Sequence, residues 1–133
     1  MMTRKQFIQR VQWVGHFDSE SLAEKAIHVV LETLARRLTE TEARHLWHQL
    51  PQGLELSVRH EKEHEKFSLD EFLDIVAEHE GVTYPVAEHH AEAVTGVLQE
   101  NISPKALDEM LSLLPQDYAD FFRRSRELAL SSK

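Results

Sequence analysis

The 133-residue chain sets 15 Lys and Arg against 23 Asp and Glu, and its formal charge of −8 repels a phosphate backbone over most of the surface, which argues against nucleic-acid binding. It has no cysteine, so disulfides, thiolate metal sites and cysteine nucleophiles are excluded, and no apolar run approaches the length of a membrane span. With only 4 Gly and 4 Pro, long stretches are left uninterrupted for helix, and a single all-α domain in a cytoplasmic setting, with no cofactor required for folding, is expected.

Thr3-Arg4-Lys5-Gln6 has the form of a capping box, in which the hydroxyl and the residue three on satisfy each other's backbone donors. A short one-faced helix should follow, with Phe7, Ile8, Val11 and Val14 inward and Gly15 taking the left-handed conformation that stops it. Asp18 or Ser19 then caps a longer helix whose apolar residues, from Leu22 through Ile27, Val30 and Leu34 to Leu38, cover more than one stripe, the mark of a central helix. Thr39-Glu40-Thr41-Glu42 is a second capping box, opening a helix with Ala43, Leu46, Trp47 and Leu50 inward and Pro51 as its stop.

From Gly53 to Lys66 the helical pattern breaks: Leu54, Leu56 and Val58 alternate, and the run RHEKEHEK carries no apolar residue, as expected of a connector. Ser68-Leu69-Asp70-Glu71 opens the next helix, with Phe72, Leu73 and Val76 inward and Gly81 as its stop. Tyr84-Pro85 starts a second long helix, in which Gly96 points to a close helix–helix approach, and Ser103-Pro104 starts another with Leu107, Met110, Leu111 and Leu114 inward. A terminal amphipathic helix bearing Tyr118, Phe121, Phe122 and Leu128 should close one end of the core, its Arg123, Arg124 and Arg126 solvated.

Leu34 to Gln52 and Leu98 to Gln116 state one pattern twice. Leu34 aligns with Leu98, Thr39 with Ser103, Leu46 with Met110, and Leu50-Pro51-Gln52 with Leu114-Pro115-Gln116, all at one offset. The expected architecture is a bundle of six to seven helices from two pseudo-symmetric three-helix repeats. Repeat one covers about residues 3–52, the connector 53–67, repeat two about 68–116 and the terminal helix 117–130. The two long helices are expected to lie against each other in the middle.

His60-Glu61-Lys62-Glu63-His64 matches H-E-x-x-H, in which two histidines four apart on a helix share a zinc ion and the glutamate polarises a bound water. A metal-dependent hydrolase using His60, Glu61 and His64 is therefore one reading. Against it, the wildcard positions Lys62 and Glu63 are charged where a packed metalloprotease helix is apolar, and nothing forces a third ligand from Glu78, His79 or Glu80 onto the pair. Adventitious divalent metal at His60 and His64, or a histidine-rich surface responsive to mild acid, is a second alternative, since protonating all nine histidines would take the formal charge to +1.

The order and spacing of Lys5 to Val11, Ala23 to Leu38 and Leu46 to Gln52, then Ser68 to Val76, Ala87 to Ile102 and Leu107 to Gln116, resemble the DUF2267 family of bacterial proteins. The resemblance spans nearly the whole chain and implies an all-helical domain with no assigned activity and no catalytic residues to transfer. The expected role is thus a protein-interaction or structural module, binding a protein partner or a second copy of itself. Because the first repeat has no counterpart of the aromatic terminal helix, Trp47, Leu54, Leu56 and Val58 are the expected interaction residues.

Overall fold

The computed structural model describes residues 2–54 and 65–132. Seven helices and no strand occur among the described residues: α1 (Arg4–Gly15), α2 (Glu20–Arg37), α3 (Glu40–Trp47), α4 (Leu69–Glu80), α5 (Tyr84–Gln99), α6 (Pro104–Ser112) and α7 (Gln116–Ser131). None of them is long and apolar enough to cross a membrane.

The three capping boxes form as the sequence requires. Thr3, Thr39 and Ser68 each accept from the backbone N–H three residues on, while Gln6, Glu42 and Glu71 accept from the cap's own N–H. Ser19 caps α2, Ser103 caps α6, and Pro85 sits in the first turn of α5, where a missing donor costs least. Gly81 ends α4 in the left-handed region at φ 73°. At the end of α1 the left-handed residue is instead His16, at φ 55°, and Gly15 stays helical. Glycine is required at position 15 for another reason: a Cβ there would run into the Phe17 ring and come within 3.1 Å of Ala93.

α5 lies at the centre, with Ala87, Ala91, Val94, Val97 and Leu98 among its fully buried residues. It packs on α7 most extensively, then on α4 and α1, and less on α2, so the seam expected between the two long helices is secondary to the α5–α7 seam. Gly96 accounts for this. A Cβ there would lie 2.5 Å from the Ser125 carbonyl oxygen and 3.1 Å from Ala129 Cβ, so only glycine lets the two backbones approach so closely. Beside it Thr95 Oγ1 donates to Ser125 Oγ (2.7 Å), whose hydroxyl donates to the Phe121 carbonyl (2.9 Å), so both buried hydroxyls are satisfied.

α1 packs against both α2 and α5, and α4 against both α5 and α2. Leu34 and Leu98 are fully buried, in one continuous core with Phe7, Phe72, Tyr118 and Phe121. Three expectations about apolar residues need correction. Leu22, in the first turn of α2, is 49% exposed and borders a cleft with His16 and Phe17. Of the inward set on α6 only Met110 is fully buried, and α3 ends at Trp47, ahead of Pro51, in a turn in which the Leu50 N–H donates to the Trp47 carbonyl.

α7 joins the two ends of the bundle. At its start Asp117 accepts from the Leu69 N–H (3.1 Å) and the Tyr118 hydroxyl donates to the Phe67 carbonyl (2.9 Å). At its end the Arg10 guanidinium donates to the carbonyls of Ala129 and Ser132 and pairs with Glu100, while the Trp13 indole N–H also donates to Ser132. Carbonyls that a helix C-terminus leaves without partners are thereby satisfied from α1.

Candidate functional site

Four residues were expected to form an interaction surface. Trp47 and Leu54 are core residues, 8% and 3% exposed, so these two side chains do not present the open apolar surface expected of them. The Trp47 indole N–H has no hydrogen-bond partner among the described residues. Leu56 and Val58 lie outside the described residues, as do His60, Glu61 and His64 of the HEKEH stretch. Among the described residues no group of three or more His, Asp or Glu is placed to hold a metal ion.

The other histidines are dispersed. His28 is exposed and pairs with Glu32 one turn on (3.1 Å). His89 Nε2 faces the Gly15 carbonyl (3.2 Å), and His90 Nδ1 bonds to Glu80 Oε2 (2.8 Å) with its ring 4.4 Å from that of Phe17. Glu80 is a buried carboxylate at the end of α4, and its second oxygen has no partner among the described residues. This pair borders a cleft of about 280 Å³ that also meets Lys25, whose ammonium donates to the Glu80 carbonyl (3.1 Å). A carboxylate that orients an imidazole is half of a nucleophile-activating arrangement. Among the described residues no Ser or Thr lines this cleft.

Two of the three arginines of α7 have neighbours on their own helix or on α5. Arg123 pairs with Asp120 (3.5 Å), and Arg124 lies over the Phe121 ring (5.7 Å). Burial first, then the Glu88 carboxylate, hold Glu92 above the usual carboxylate range, and Arg124 opposes that shift.

A largely apolar concavity lies where α3 meets α6, a groove of about 340 Å³. The helices touch only lightly there. Its floor is Leu46 and Met110, both buried, with Ala106 beside them, and Leu113 stands on the rim 61% exposed. One wall carries Thr41, Glu42 and His45 of α3, and the other carries Glu109 and Ser112 of α6. Local chemistry fixes both walls: the Thr39–Glu42 box sets the first turn of α3, and Ser103 with Pro104 sets that of α6. A further bond ties them together, as the Ser103 N–H donates to Gln49 Oε1 (2.7 Å).

Leu46 and Met110 are legible in the sequence as aligned positions of the repeated pattern. The groove between them is not, because periodicity assigns both residues to a core and cannot show that their helices stand partly apart. The period of Leu107, Met110, Leu111 and Leu114 leaves Leu113 off the inward face, but a single exposed leucine marks no site in a sequence.

Among curated proteins none matches this chain. Residues 4–121 match the family described as uncharacterized conserved protein (DUF2267). That match runs from the first residue of α1 into α7 and takes in both walls of the groove, and the chain therefore belongs to the DUF2267 family.

Proposed function

We propose that the chain is a protein-interaction module built from two related three-helix units, α1–α3 and α4–α6, and that it docks a partner helix in the groove between α3 and α6. The two-unit reading is supported by α1 and α4, each of 12 residues, opened by a capping box and followed by a left-handed residue. The observation that carries the docking reading is the exposed Leu113 at the rim of an apolar groove. Amphipathic helices lay an apolar stripe into such grooves through anchors at i, i+3, i+4 and i+7. An exposed leucine beside an apolar floor contributes to binding only when something covers it.

A helical peptide with leucines at those four positions and glutamines elsewhere tests the reading by titration into isotope-labelled protein. Amide shifts are expected on Thr41–Leu46 and Ala106–Leu113, and Leu113→Glu should abolish them. Shifts that are absent, or scattered over the other helices, would refute the docking site.

A further inference from the structure

Resting on that docking reading, we infer that the helix received between α3 and α6 is basic on both flanks of its apolar stripe. The groove is acidic on both sides. Glu42 lies on the α3 wall beside His45, its carboxylate accepting from the Thr39 N–H (3.2 Å), and Glu109 lies on the α6 wall, with no Lys or Arg lining the groove among the described residues. Just outside it, Arg44 of α3 pairs with Glu40 one turn back (2.9 Å), and Lys105 of α6 is exposed next to Ala106. Asp108 is exposed on α6 next to Glu109, and the chain as a whole carries −8. Charges at the border of an interface set the encounter rate and the choice of partner, and like charges facing each other exclude the wrong one.

The same charges argue against other occupants. Two copies of the chain meeting face to face through this groove would bring Glu42 and Glu109 of one against those of the other. Nor does the amphipathic α7 of this chain serve as the ligand, since its apolar face, with Phe121 and Phe122, is already buried on α5. Size limits the occupant as well. α3 has 8 residues and α6 has 9, so the walls run about 12 Å, or roughly two helical turns. The ligand thus presents two or three apolar anchors on successive turns, with Lys or Arg at the positions beside them.

Three helical peptides with the same leucines and with lysine, glutamine or glutamate at every other position separate the possibilities. Dissociation constants are measured by fluorescence anisotropy at low and raised salt on the full chain, and oligomeric state by sedimentation. The expected order of affinity is lysine, then glutamine, then glutamate, with the spread collapsing in salt. Glu42→Gln with Glu109→Gln should weaken the lysine peptide roughly threefold to tenfold, and by more than it changes binding of the glutamine peptide. Glutamine at position 42 can still complete the capping box, so the variant keeps α3. Equal binding of the lysine and glutamine peptides would overturn the basic partner and leave the docking site standing. Failure of all three peptides would overturn the docking site itself. A dimer that Leu113→Glu dissolves would give the face to a second copy and overturn the inference.

Discussion

Arg37 and Tyr118 converge on one acceptor. The Arg37 Nε donates to the Phe67 carbonyl (2.8 Å), the Tyr118 hydroxyl donates to the same oxygen (2.9 Å), and the guanidinium lies over the tyrosine ring at 5.4 Å. All three groups are buried, so each hydrogen bond counts for more than it would in water. The cluster fastens the end of α2 and the start of α7 to the residue that precedes α4.

Tyr118→Phe should therefore cost about 1–2 kcal/mol in denaturant melts, since the carbonyl keeps Arg37 as a partner and is not left bare. Arg37→Met should cost more, because it removes both a donor and the cation over the ring.

Burial raises the Tyr118 hydroxyl above its ordinary value, with Arg37 opposing, and burial together with the bond to Asp70 raises Tyr84. The folded state then holds these protons more tightly than the unfolded state. Stability from this source is complete below the unfolded tyrosine value of about 10 and falls as pH rises through and beyond it. Melting temperature should decline above about pH 10, and a variant with both tyrosines changed to phenylalanine should decline less.

At Gly96 two effects oppose. Alanine gains about 1 kcal/mol of helix propensity, but its methyl would meet the Ser125 carbonyl oxygen at 2.5 Å, and overpacking of a seam costs about 1–3 kcal/mol. The close contact is with backbone, which cannot swing aside. Gly96→Ala is expected to destabilise, and a melting temperature at or above the parent's would show that α7 can shift outward without loss.

Arg10 holds two carbonyls and a carboxylate with one planar fork. A lysine ammonium cannot span that set, so Arg10→Lys should lose most of what Arg10→Ala loses, about 1–3 kcal/mol. Hydrogen exchange should speed up first in the last turn of α7.

Leu34→Ala and Leu98→Ala are each expected to cost about 2–5 kcal/mol, the range for emptying a packed leucine site. Both leucines are fully buried, so a near-zero change in either would contradict their placement.

Start signals were the most legible part of the sequence, because Thr3, Thr39 and Ser68 act through chemistry confined to one helical turn. The inward faces of α1, α2 and α5 were legible through their period. Stops are less legible: a glycine near a helix end suggests the left-handed position, yet His16 takes it after α1, and Gly15 is there because the Phe17 ring fills the space a side chain would need. Gly96 announced a close approach but not its partner, since a glycine shows that a backbone is near and does not say which. Trp47 faces inward by its period, yet the missing counterpart of the aromatic terminal helix points to an open apolar surface around it and Leu54. They are buried, and the groove bearing the candidate site lies between α3 and α6, with His45 on its wall.

α1 divides its apolar face between α2 and α5, and α4 divides its own between α5 and α2. During synthesis the first 54 residues therefore contain only part of the surface that α1 needs, and α2 waits for α4 in the same way. Neither half encloses a complete core, and contacts of long sequence separation must form before either is rewarded. The chain should fold in one cooperative step that begins only after α5 has emerged, with fluorescence and circular dichroism tracing a single coincident transition.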